Sequence, residues 1–247
     1  MNASSHEPVT AASELEVIAC SLRDALAAHR GGASRLEVTV RLDQAGLTPP
    51  LDMVMEIIQR VPLPIRIMLR DRPDFSAGRD LELEGLVRKA GEFASIDIGA
   101  KAGGSIDGVV AGHIRDGMLD VAALERIINA APNLHVTVHH AIEATADPLE
   151  TLRTLRGFEA VDRALVSGGA GSVEDRIDRL IQMRAAFGPE RSLIAGGKLT
   201  LDMLRPLRDA TGIRIFHLGR AVRTPEAPGG PVDSEKVKMA VDLLGVR

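Results

Sequence analysis

The stretch LHVTVHHAIEATADPLETLRTLRGFEAVDRALVSGG, Leu134–Gly169, decides the fold. It opens on a run in which Leu134, Val136 and Val138 alternate with His135, Thr137 and His139, the period of a strand with one apolar face. Asp147–Pro148 then supplies a helix N-cap followed by a proline at the first helical position. The next apolar run is Ala164–Val166. Two strands separated by a helix read as a parallel pair, because parallel strands need a crossover between them. The same unit recurs along the chain. Further short apolar runs lie at Leu15–Cys20, Leu36–Val40, Ile65–Leu69, Val109–Ala111, Leu193–Ala195 and Ile213–Leu218. Eight such units in 247 residues predict an α/β protein, a single-domain (β/α)8 TIM barrel over residues 14–247. That architecture places function in the loops that follow the strands.

Helix signals fit between the runs. Ser21 caps a helix reaching His29 and ended by Gly31–Gly32, and a second helix runs from Leu51 to Arg60. A third covers Arg79 to Phe93, after which residues 94–106 follow no clear pattern. Asp120, Ser172 and Thr200 cap later helices, and the last runs from Asp233 to Leu244.

Composition narrows the function classes. The net charge is −4 with acidic and basic residues mixed throughout, so no basic stripe points to nucleic acid and no polybasic cluster to a lipid surface. Met1 to Ser13 lacks the apolar core of a signal peptide and reads as a loose tail, and no run approaches the length of a bilayer span. One cysteine, Cys20, fits a reducing, cytoplasmic setting. Trp and Tyr are absent, which argues against stacking platforms for bases or sugars.

Strand alternation selects the residues that face the barrel axis. Apolar positions turn toward the helices, so Glu16, Ile18 and Cys20 face inward, as do Arg35, Glu37 and Thr39, Arg66, Met68 and Arg70, His135, Thr137 and His139, and Arg163, Leu165 and Ser167. Charges in such an interior must be paired, and the charged layer reads either as a network that holds the barrel's shape or as the floor of a site. Depth weights Arg70, His139, Ser167 and His217 as mouth residues, whereas Arg35 and His135 begin their strands. His113, His139, His140 and His217, with Glu16, Glu37 and Glu143, offer nitrogen and oxygen donors for zinc or manganese, or an acid/base pair. Gly196–Gly197–Lys198, and His217–Leu218–Gly219–Arg220 near the end of the chain, could present backbone N–H groups and charge to a phosphate, or could be turn glycines only.

Together these segments resemble the CutC copper-homeostasis family. The similar stretches are LEVIACSLRDAL from Leu15, GASRLEV from Gly32, GLTPPLDMV from Gly46, LRDRPDF from Leu69, GHIRDGMLD from Gly112, VTVHHAIEATADPLETL from Val136, RALVSGG from Arg163, then IAGG and HLGRA. They stand in the family's order over nearly the whole chain. The resemblance implies a cytoplasmic eight-stranded barrel, an oligomer and here a homodimer, proposed to bind Cu(I) through cysteine. Matching positions include Glu16, Glu37, Arg70, His139, Ser167, Gly168, Gly197 and His217. Where the family has further cysteines this chain has Ile18, Ala19 and Thr39, and only Cys20 remains. The implied metal residues are Cys20, His139 and His217.

Two functions follow as expectations. One is a copper-binding homeostasis protein, with zinc or manganese as other candidate metals. The other is a lyase, isomerase or hydrolase acting on a small phosphorylated or carboxylated substrate. In the second, Arg70 grips the anion, His139 moves a proton and Glu37 orients it. Glu16, Ser167, Gly168, Gly196, Gly197, Lys198, His217, Gly219 and Arg220 would line the ligand.

Overall fold

The computed structural model describes residues 12–96 and 103–246. Its barrel strands are β1 (Glu14–Ala19), β2 (Arg35–Val38), β3 (Pro64–Met68), β4 (Ser105–Ala111), β7 (His135–Val138), β8 (Val161–Val166), β9 (Ser192–Ala195) and β10 (Ile215–Leu218). They form a closed parallel barrel in the order β1-β10-β9-β8-β7-β4-β3-β2. Two short strands, β5 (Ile114–Arg115) and β6 (Met118–Leu119), make a separate antiparallel hairpin that the apolar runs do not announce. Its two-residue strands are too short to show a period.

The helices are α1 (Leu22–Arg30), α2 (Leu51–Arg60), α3 (Asp80–Ala94), α4 (Val121–Ala130), α5 (Pro148–Leu155), α6 (Val173–Phe187), α7 (Leu201–Thr211) and α8 (Ser234–Leu244). Ser21, Asp120, Asp147 and Ser172 each accept a backbone N–H as N-caps, as their positions predict. Thr200 takes the N-cap position of α7 without a side-chain bond. The expected tail falls largely on residues 1–11, outside the described residues, while Ser13 already bridges to Val246. The irregular stretch expected at 94–106 is partly described: α3 ends at Ala94 and β4 begins at Ser105, with residues 97–102 outside the described part. Val40 leaves β2 and makes an isolated bridge to Leu47. Cys20 lies beyond the end of β1, in the turn before α1.

Alternation sorts the side chains as expected. Leu15, Val17, Leu36, Val38, Ile65, Ile67, Val136 and Val138 are buried in the main apolar core. The axis holds Glu16, Glu37, Arg66, Thr137 and His217, all buried, and a small apolar cluster of Leu165, Ile194 and Ile215. His135 is exposed at the start of its strand.

The charged floor is paired by residues that alternation assigns to the wrong face. Arg66 donates to both Asp162 oxygens (2.7 and 2.6 Å) and to Thr137 Oγ1 (2.7 Å). Arg35 pairs with Asp107 and lies 3.7 Å from Glu14, which also accepts from Arg163 at 3.0 Å. Asp107 and Asp162 are the extra residues at two register shifts: Ile65 pairs Ile106 but Arg66 pairs Gly108, and Val136 pairs Val161 but Thr137 pairs Arg163. A bulge re-aims its extra residue, and here each delivers a carboxylate to the barrel's arginines.

Candidate functional site

At the carboxyl end of the strands lies a cavity of about 390 Å³. Its floor is built by three adjacent strands, through Ile18 of β1, Glu37 of β2 and His217 of β10. Glu16, expected among the ligand-lining residues, stands opposite His217 one step deeper and does not line the cavity. One ligand atom from each of Glu16, Glu37 and His217 lies within 4.8 Å of the others, the sole such group among the described residues.

The three divide into a pair and a single group. His217 Nδ1 is 2.8 Å from Glu16 Oε1, and both side chains are buried. Burial alone would raise Glu16, but the hydrogen bond and charge of His217, with Arg35 and Arg66, hold it at about 2. Burial likewise opposes charge on His217, yet the Glu37 charge and the bond to Glu16 raise it above the usual histidine value. Glu37 has no such bond. Burial dominates there, helped by the nearby Glu16 charge and opposed by His217 and Arg70, and pushes the carboxyl up to about 7. Its Oε2 is buried without a partner.

His139 lines the same cavity from the end of β7. Its Nδ1 accepts the Ala141 N–H at 3.2 Å, opening the 3₁₀ turn His140–Ala144. Burial, followed by the charges of Arg70, His113 and His140, holds its pKa well below the usual value. The ring is therefore neutral, its proton resides on Nε2, and that atom is buried and unpartnered. With Nδ1 accepting from the backbone, Nε2 is the ring position left for an N–H, and it faces no protein acceptor.

Arg70 also lines the cavity, but not as the free anion grip expected. Its guanidinium donates to the carbonyls of Arg72 (2.7 Å), Gln44 (3.0 Å), Pro73 (3.2 Å) and Ala45 (3.3 Å), tying together the loops after β2 and β3. It also sits 4.8 Å from the ring centre of Phe75, which packs at 5.2 Å on His139. The unengaged cations are at the rim. Lys198 and Arg220 are exposed, line the cavity and make no ion pair among the described residues. Lys198 follows Gly197, and both have positive φ (54° and 75°), a conformation strained for lysine.

The remaining expected residues separate. Gly197 and Gly219 line the cavity. Ser167 lines an adjoining one that shares Phe75, His140, Gly197 and Lys198 with the first. Its polar atoms are already used: Oγ donates to Glu143 (2.8 Å) and accepts from Gly169 N (2.9 Å). Gly168 and Gly196, expected among the ligand-lining residues, line neither cavity and are closely packed. A Cβ on Gly168 would meet Arg176 O at 3.0 Å, and one on Gly196 would meet Leu165 at 2.6 Å. Cys20 does not join His139 and His217. Its Sγ is 3.8 Å from Arg223 Nη2, and burial pushes the thiol up to about 11 despite that arginine's charge.

His140, one of the candidate donor histidines, lines both cavities, and so does Phe75, which the sequence does not single out. Phe75 lies in a long loop at φ 59°, and no sequence period reports such a conformation.

Fold and site together define a (β/α)8 barrel with a buried carboxylate and histidine cluster toward the carboxyl end of its strands. The chain belongs to the CutC family, whose model matches residues 13–222. CutC of Xanthomonas axonopodis pv. citri is 30% identical over 244 residues, covering 93% of this chain and 98% of that protein. CutC of Xylella fastidiosa strain Temecula1 is also 30% identical, covering 93% and 88%. The crystal structure of a Streptococcus agalactiae CutC, named for copper homeostasis, superposes with a TM-score of 0.73 at 19% identity, covering 84% of this chain and 98% of its own. That likeness speaks to the fold. Among the described residues no helix is long and apolar enough to cross a membrane.

Proposed function

We propose that this CutC-family barrel is an enzyme that holds a small phosphorylated or carboxylated molecule in the mouth cavity and moves a proton on it through Glu37. The observation that carries this reading is Glu37 itself. A carboxyl near 7, partnerless at the floor of a cavity, is matched to giving and taking protons at neutral pH. Lys198 and Arg220 would attract the anion, with the backbone of Gly197 and Gly219 beside them. The mostly apolar wall, including Ile18, Met68 and Leu165, would limit water at the reacting atoms.

The donor set does not suit Cu(I), the metal the family name brings to mind. Soft Cu(I) selects thiolates and thioethers, while the clustered donors are two carboxylates and an imidazole. The single thiol is held protonated by burial. The same donors would accept zinc or manganese, but only in competition with the protons on Glu37 and His217. We expect the protein to act as a cytoplasmic homodimer, which light scattering at micromolar concentration would check.

The test is a thermal-shift screen of small phosphorylated and carboxylated metabolites, with Cu(I), Zn(II) and Mn(II) titrated in parallel. A stabilising anion whose binding survives E37Q supports the reading. Stoichiometric Cu(I) binding with no anion response overturns it.

A further inference from the structure

Two buried, unpartnered groups of complementary kind line one cavity: the Nε2–H of His139, which can only donate, and the carboxyl of Glu37, which can take or return a proton. Their roles are fixed by local structure. The Ala141 N–H occupies His139 Nδ1 and so locks the tautomer, and the Phe75 ring packs against the imidazole. Glu37 is left without a hydrogen bond because its neighbour Glu16 takes His217 and the arginine opposite it on β3, Arg66, is held by Asp162. An unpartnered buried donor costs stability unless a ligand supplies its acceptor. The acceptor that suits a neutral N–H, and gains most when it becomes charged, is a carbonyl oxygen.

We infer that the site enolises a carbonyl compound: Glu37 removes a proton from the carbon next to a carbonyl whose oxygen is bound by His139 Nε2–H, in a substrate carrying an anionic group at the Lys198 and Arg220 rim. The inference rests on the proposed anion-binding function and names its reaction. In the forward step the C–H bond breaks and its proton passes to the Glu37 carboxylate. The electron pair left behind forms the carbon–carbon double bond, and the carbonyl π pair moves onto the oxygen. His139 stabilises that oxygen by hydrogen bonding. Return of the proton from Glu37, to the same carbon or to the adjacent one after the hydroxyl proton shifts, completes an exchange or an isomerisation. No oxidant or reductant is consumed. The positive charges of His217 and Arg70 lie close enough to influence Glu37 and favour its carboxylate form, the form the forward step needs.

The neutral histidine is central to this assignment. An imidazolium at the same place would hand its proton to the oxygen outright, whereas a neutral N–H, itself a very weak acid, stays matched to the strongly basic enolate and holds it by a hydrogen bond. The pairing of a carboxylate base with a neutral histidine is known from triosephosphate isomerase, a general example of the logic. Here it is read from the hydrogen bonds of this chain.

The experiment follows α-hydrogen exchange by proton NMR in D₂O. The probes are a set of phosphorylated α-hydroxy ketones of three to six carbons, with calorimetric binding of each measured in parallel. The expected result is loss of the α-proton signal of at least one probe with wild-type protein. E37Q should abolish exchange while still binding that probe. H139F should slow it by roughly 10²- to 10³-fold, the usual cost of one oxyanion donor. The rate should rise with pH as Glu37 ionises and flatten above about 7, a profile a merely structural carboxyl would not impose. Binding of a probe without exchange overturns the enolisation and leaves the anion site standing. Exchange undiminished in E37Q overturns the assignment of the base. If no probe binds, both fail for phosphorylated ketones, and the enolisation is overturned.

Discussion

Glu37 makes folding pH-dependent in a direction that identifies it. Its folded pKa, about 7, lies above the ordinary 4.5, so the native state binds the extra proton and stability falls as pH rises through that window. E37Q removes this cost. Its stability relative to wild type should climb between pH 4.5 and 7 and stay level above, by about 1–3 kcal/mol, in urea unfolding at a series of pH values. A second residue-scale expectation concerns Cys20. Half-buried, protonated and next to Arg223, it stands outside the Glu16, Glu37 and His217 group, so C20S should leave Cu(I) affinity unchanged in a chromophoric chelator competition. Both residues were legible in the sequence as inward candidates at the ends of β1 and β2. Their chemistry was not, because a pKa is set by neighbours from other strands: Glu37 is near Glu16, His217 and Arg70, which are 21, 180 and 33 positions away.

The segment after β8 shows how side chains from other elements hold a loop at the wall of a cavity. SGGAGS, residues 167–172, carries a serine and glycines at a strand end, and Ser167 and Gly168 were expected to touch ligand. Ser167 lines the adjoining cavity and Gly168 does not, and the segment is clasped by side chains. Glu143 accepts from Ser167 N (2.9 Å), Ser167 Oγ (2.8 Å) and Gly169 N (3.0 Å), while Arg176 donates to Gly169 O (3.1 Å) and Gly197 O (2.8 Å). Burial opposes the Glu143 charge, but His140 and Ser167 outweigh it and lower the pKa, so this contribution is present at neutral pH and lost on acidification. E143A should cost about 1–3 kcal/mol and speed hydrogen exchange at Gly169, with no matching change at the floor of the barrel. Helix starts, by contrast, were read directly from the chain. Ser172 caps α6 in a reciprocal box with Asp175, so S172A should lower stability by about 1 kcal/mol in chemical denaturation. Caps are legible because donor and acceptor lie within three residues.

At the scale of the whole molecule, the charged layer below the cavity is what the barrel has in place of an apolar axis. Arg66 is 1% exposed, its two terminal nitrogens bond Asp162 and Thr137 and its Nε lies 3.5 Å from Asp107, so its loss strands carboxylates from β4 and β8. R66M should destabilise the fold by about 3–5 kcal/mol, with thermal unfolding as the measure, and should lower the midpoint far more than any rim substitution such as K198A. The network holds the strands whose ends carry Glu37 and His139, which links barrel stability to site geometry. By itself the sequence determined the eight-unit barrel, the inward and outward faces, most helix starts and the end of the barrel where the cavity lies. Each of these follows from periods and caps only a few residues long. Tertiary structure alone decided that two bulged aspartates pair the inner arginines, that Arg70 ties loops together, that His139 is a neutral donor, and that Glu37 stands apart from the Glu16–His217 pair. Those outcomes depend on register and burial between distant strands, and the electrostatic environment they create has no local signature in the chain.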